Sequence, residues 1–282
     1  MTGPAALPGF RGSDGVDYPA VGFGTYKLNG APGMDVIREA LHGGYRLLDT
    51  AVNYENEGAV GAAARTSRIP RDQLLIASKL PGRFQDAGKA VRCVEESLYR
   101  TGLDHLDLYL IHWPNPLEDH YVEAWQALIE ARNRGLVRSI GVCNFLPEHL
   151  DRLAAETGVL PVLNQIEMHP YFPQREQRAY HADHGILTQS WSPLGRGSDL
   201  LTNPVIMDVA TRVEASPAQV VLRWHVDNGS MPIPKATAAH RQHENLDLAD
   251  VVLDPADLAA ITALGRPDGR LSDSDPATHQ EF

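Results

Sequence analysis

Short apolar runs alternate with amphipathic segments along almost the whole chain, and this rhythm limits the fold more than any other feature. The runs are AVGFG, YRLLD, LLIAS, LDLYLIH, VRSIGVC, VLNQI, GILTQSW and MPIPK. Each is rich in Leu, Ile or Val and is bounded by Gly, Pro or charge, as in strands buried on both faces of a parallel sheet. The segments between them repeat with a helical period. Ala87, Ala90, Val91, Val94 and Leu98 share one face, with Asp86 placed to cap. Trp125, Leu128, Ile129 and Arg132 follow the same spacing, with Gly135 as a stop, and Ser216-Pro217 opens another helix. Eight strand–helix units in 282 residues predict a single (β/α)8 TIM barrel over 1–282. Residues 1–18 read as an N-terminal cap segment and 264–282 as a polar C-terminal tail. A doubly wound sheet is the competing architecture, but no GxGxxG turn follows a first strand.

Composition narrows the function. A net charge of −11 argues against nucleic acid as a partner. No run of about 18 apolar residues is present, so no membrane span is expected. The start, MTGPAALPGFRGSDG, has no basic stretch leading into an apolar one, and Cys93 and Cys143 are the only cysteines. A cytoplasmic protein with reduced thiols is expected, with no metal site.

A barrel of this kind carries its chemistry where the strands end. Those ends deliver Asp49, Lys79, His112, Asn144, Gln165, Trp191 and Lys235, with Tyr54 just beyond Asp49. A polar strand end usually means only contact with water. Lys79 fits that explanation least, because Lys27, Lys79, Lys89 and Lys235 are the only lysines among 25 basic residues. Carbonyl reduction needs a hydride, which only a cofactor supplies, and a proton. Tyr54 is the predicted acid, its pKa lowered by the neighbouring Lys79 ammonium. Asp49 anchors Lys79, and His112 orients the substrate oxygen.

With these residues in place, the sequence resembles the aldo-keto reductase family. The likeness runs from VGFGTYKL to about residue 264, through GYRLLDTAVNYENE, IASKL, GLDHLDLYLIHWP, IGVCNF, NQIEMHP, WSPLG and PIPKATAAHRQHEN. The family's catalytic tetrad falls on Asp49, Tyr54, Lys79 and His112. The resemblance implies NADPH as cofactor, with NADH weaker. Asn144 and Gln165 would hold the carboxamide, and Trp191 would stack on the nicotinamide. Ser192, Leu194, Lys235 and Thr237 would line the phosphates, with Thr237 capping the last barrel helix. Arg241 would meet the 2′-phosphate, and Glu244 and Asn245 the adenine. Tyr26, Asn53 and Trp113 would shape the substrate pocket. Departures from the family pattern are Cys143 and Ala236 where Ser is usual, Trp191 where Tyr is common, and Tyr26 and Pro81 where Trp is common. The expected partner is a small carbonyl compound and the expected state a monomer. A regulatory subunit without turnover, or a metal-dependent barrel hydrolase, fits less well: the tetrad is intact, and no HxH pair stands at a strand end.

Overall fold

The computed structural model describes residues 7–272 and 274–282. A short antiparallel hairpin, β1 (Phe10–Arg11) with β2 (Asp17–Tyr18), precedes the main sheet. That sheet has eight strands in sequence order. They are β3 (Phe23–Gly24), β4 (Leu47–Asp49), β5 (Leu75–Leu80), β6 (Leu106–Ile111), β7 (Val137–Cys143), β8 (Leu163–Glu167), β9 (Leu187–Trp191) and β10 (Ser230–Pro232). Every neighbouring pair is parallel. Gly22 N–H donates to Pro232 O at 3.0 Å and Gly24 N–H to Pro234 O at 3.1 Å, so the first and last strands meet and the barrel closes.

The helices α1 (Gly30–His42), α2 (Glu57–Thr66), α3 (Ala87–Thr101), α4 (Tyr121–Asn133), α5 (Pro147–Thr157) and α6 (Arg175–Asp183) return the chain between strands. Then come α7 (Pro204–Arg212), α8 (Pro217–Asp227), α9 (Ala239–Leu246) and α10 (Pro255–Thr262). Of these, α7 and α10 are additions to the eight-unit pattern, and they bury Ile206, Val209 and Ile261 around Trp224 of α8. Local signals act where the sequence puts them. Asp86 accepts from Gly88 N–H at 3.1 Å at the start of α3. Ser216 and Gln219 form a capping box on α8, and Gly135 takes φ 76° just past α4. Thr237 does not cap: the N-cap of α9 is Ala238, with no side-chain bond.

Strand period two decides which residues reach the site. Leu47, Ala77, Leu110, Leu163 and Met231 point into the barrel and pack with Tyr18 of the hairpin. Leu48, Ile76, Tyr109, Ile111 and Ile140 point outward to the helices. Two residues beyond the inward set come Asp49, Lys79, His112 and Gln165. They therefore face the interior at the other end of the barrel from the hairpin. Described residues 7–18 thus fill the far end, whereas residues 1–6 of the expected cap lie outside the described residues.

Candidate active site

The tetrad converges. Lys79 Nζ donates to Asp49 Oδ2 at 2.6 Å, to Thr50 O at 2.8 Å and to Tyr54 OH at 3.4 Å. An ammonium has three N–H donors, and each has an acceptor here. The side chains of Lys79 and Asp49 are 0% and 2% exposed, so this is a fully desolvated ion pair. Gln165 Nε2 donates to the other Asp49 oxygen at 2.7 Å and to Gln189 Oε1 at 2.7 Å. The His112 ring stands 6.0 Å from the Tyr54 ring, edge to face.

Tyr54 sits on a short turn, Val52–Tyr54, between β4 and α2. Buried Asn56 pins that turn by donating to Thr25 O at 2.7 Å and Leu28 O at 3.1 Å. Asn29 Nδ2 holds Tyr54 O at 2.8 Å. Glu57 is buried too, accepting from Ser78 Oγ and Arg100 Nε, each at 2.5 Å. Asn56, Glu57 and Gln189 are supports that the sequence reading did not single out. The signal for the first two was present in the polar pair that follows Tyr54.

Electrostatics correct one expectation. Burial pushes the Tyr54 phenol up to about 12; Lys79 pulls it down, but by less, and Asp49 adds to the rise. The phenol is therefore not made acidic in the resting site, because loss of water outweighs the ammonium. For Lys79, burial alone would lower the ammonium, but Asp49 and Tyr54 outweigh it and the net direction is up. The result is a phenol that keeps its proton at neutral pH beside a permanent positive charge. Such a charge favours phenolate over phenol.

The residues expected to hold a dinucleotide fall into two groups. Near the tetrad, Trp191 Nε1 donates to Asn144 Oδ1 at 2.8 Å, and Asn144 Nδ2 to His112 O at 3.0 Å. Ser192 follows with φ 49°, and Leu194 is half-buried. Beyond β10, Lys235, Thr237 and Arg241 are exposed, and none of the ion pairs among the described residues takes Lys235 or Arg241. Glu244 lines a groove with Gly43, Arg46 and His243. Asn245 is buried at 3% exposure, unlike Arg241 one turn earlier on α9. Gln242, between them, ties α9 to the barrel by donating to Ala236 O at 3.1 Å and Val36 O at 3.2 Å.

The expected pocket residues surround the same opening. Tyr26 is 42% exposed, its ring is 5.1 Å from that of Tyr54, and the Arg196 guanidinium lies 5.6 Å above it. Asn53 accepts from Arg83. The Trp113 ring packs 4.3 Å from His279 of the tail. Asn53 Nδ2 also donates to Glu281 Oε1 at 2.7 Å, so the tail closes one side of the pocket.

The Aldo/keto reductase family model matches residues 20–266. The chain is 50% identical to 2,5-diketo-D-gluconic acid reductase B of a Corynebacterium species, over 98% of this chain and 99% of that one. It is 45% identical to methylglyoxal reductase DkgA of Escherichia coli K12, covering 89% and 91% of the two chains. A Gox0644 mutant crystallised in complex with NADPH superposes with a TM-score of 0.92 at 41% identity, over 98% and 99% of the chains. The chain belongs to the aldo/keto reductase family. It is an oxidoreductase that reduces carbonyl groups.

Proposed function

We propose that this enzyme reduces small carbonyl compounds activated by an adjacent carbonyl group, with NADPH as reductant and Tyr54 as proton donor. The observation that carries the reading is the desolvated ammonium of Lys79, 3.4 Å from the Tyr54 hydroxyl and 2.6 Å from Asp49. Asp49 holds the amine, the amine stabilises the forming phenolate, and Tyr54 gives its proton to the carbonyl oxygen. His112 fixes the direction of that oxygen. The donor set fits the dinucleotide: Lys235 and Arg241, which join no ion pair among the described residues, suit phosphates, and Trp191 offers a flat face beside Asn144. The bound cofactor supplies the hydride. Arg241 would select NADPH over NADH through the 2′-phosphate.

The substrate class rests on relatives named for a diketogluconic acid and for methylglyoxal. Both compounds carry a carbonyl next to another carbonyl function. Such a carbon is electron-poor and accepts hydride readily. A pocket lined by Asn53, Tyr26 and Trp113 has both a polar and an aromatic side for a small oxygenated molecule.

We further propose one domain acting as a monomer in the cytoplasm. The exposed large apolar residues Tyr99, Leu117, Met207 and Val252 come from four separate segments of the chain. Cys93 and Cys143 are free and buried. Among the described residues, no helix is long and apolar enough to cross a membrane. The test is a fluorescence titration with NADPH and NADH, then a carbonyl panel followed by loss of reduced-cofactor absorbance. Vicinal dicarbonyls should turn over faster than simple ketones of the same size; the reverse order would sink the substrate class.

A further inference from the structure

The tail brings in a carboxylate that the tetrad does not account for. Glu281 Oε1 stands 2.6 Å from His112 Nδ1. That nitrogen is buried and forms no hydrogen bond to any other group among the described residues. Gly82 N–H donates to Glu281 Oε2 at 3.2 Å. The main chain is clamped as well: buried Asn115 donates to Glu281 O at 2.7 Å and accepts from Glu281 N–H at 3.0 Å. A Cβ at Gly82 would lie 2.1 Å from Glu281 O and 2.2 Å from Asn115 Nδ2, so only glycine leaves room for the tail. Farther back, Leu271 N–H donates to Glu167 Oε1 at 2.6 Å. The tail is thus fixed at both ends of its path across the rim.

Glu281 is ionised in this setting. Burial would raise its carboxyl, but attraction to His112 and hydrogen bonds from Gly82 and Asn53 bring it below the usual carboxylate range.

We propose that Glu281 is a positioning residue for His112, turning the imidazole through Nδ1 so that Nε2 faces the substrate oxygen. The proposal rests on the reading of His112 as the group that orients that oxygen. A carboxylate at one ring nitrogen keeps a proton there and fixes which nitrogen meets the reaction. A carbonyl oxygen needs a donor at Nε2, and the carboxylate is the counter-charge for a ring that bears both protons. The other ionisable groups around the ring are Tyr54 and the Lys79–Asp49 pair after β4 and on β5, Arg83 after β5, Cys143 of β7, and His279 of the tail. The alternative role is a plug, in which the carboxylate merely fills the substrate's place. Against it, among the described residues Glu281 makes no hydrogen bond to Tyr54 or Lys79, so the proton-donating face is left open.

The experiment uses the full chain with NADPH and methylglyoxal as probe. Glu281→Gln should lower kcat by about tenfold, as loss of a carboxylate that orients a histidine does, with KM and NADPH affinity little changed. Glu281→Asp should recover part of the loss. Formate added to Glu281→Ala should raise kcat in a saturable way. The downfield proton resonance of His112 Nδ1 should be present in the native chain and lost in Glu281→Gln. Unchanged kcat and resonance would overturn the proposal, and so would a fall in KM with kcat intact or raised, which is the signature of a plug. Tyr54→Phe, measured in parallel, separates the two readings. If Tyr54→Phe is inactive while Glu281→Gln is normal, only the role of Glu281 falls; if Tyr54→Phe stays active, the site reading itself falls.

Discussion

The Lys79–Asp49 pair on β5 and β4 is buried and its ammonium is fully hydrogen-bonded, whereas on the side carried by β10 and α9 the cations are exposed and join no ion pair among the described residues. Lys79 is 0% exposed and has an acceptor for every N–H. Lys235 and Arg241 are exposed and join no ion pair among the described residues. The difference fits the role proposed for each side. A proton donor needs a rigid, dry surrounding, because electrostatic help is strong only where water is absent and the dipoles do not reorganise. A binding surface for a charged cofactor needs accessible cations that lose little on meeting phosphate.

The contrast can be broken most forcefully at Lys79. Lys79→Met leaves Asp49 buried with its charge uncompensated, so stability should fall by about 3–5 kcal/mol in denaturant unfolding, and reduction should be lost. Lys79→Arg should also fail to restore reduction, since a planar guanidinium cannot reproduce three bonds from one point. A stable, active Lys79→Met would erase the distinction between the two sides. On the open side the effect should be smaller and confined to binding. Arg241→Ala should cost about 1.5–3 kcal/mol of NADPH affinity, the range for a hydrogen bond to a charged group, and leave NADH nearly unchanged. Equal losses for both cofactors would show that Arg241 does not meet the 2′-phosphate.

The remaining test concerns acid. Burial holds His181 of α6 and His225 of α8 down to about 3. An unfolded histidine titrates near ~6.5. Between those values the unfolded chain binds protons that the folded chain refuses. Stability is therefore full above about pH 6.5 and declines as pH falls through that window, by up to about 1.4 kcal/mol per unit per histidine. Thermal midpoints at pH 7, 5.5 and 4.5 check this; a flat series would mean that the two rings are not held neutral.

The periodic parts of the molecule were readable in advance. Short continuous apolar runs marked the strands, and the polar residue closing each run marked the rim, which is why Asp49, Lys79 and His112 could be named together. The hairpin that fills the far end was not visible, because strands of two residues carry no period. Thr237 matched the cap preference, yet the helix starts one residue later than that match requires. The direction of the Tyr54 shift was misjudged because position on a turn does not reveal how dry the hydroxyl will be. Glu281 gave no sequence signal at all: its partners Gly82 and Asn53 lie 199 and 228 residues away, and a lone acid in a polar tail looks like solvent-facing charge.

The most direct test of the proton donor is a single turnover of NADPH-loaded enzyme with methylglyoxal, comparing the native chain with Tyr54→Phe. The phenylalanine keeps the ring and removes only the hydroxyl that Lys79 faces. The rate of NADPH oxidation should fall by about 10²–10⁴-fold, the span for a lost general acid, with NADPH affinity unchanged. A native rate in Tyr54→Phe would contradict the assignment.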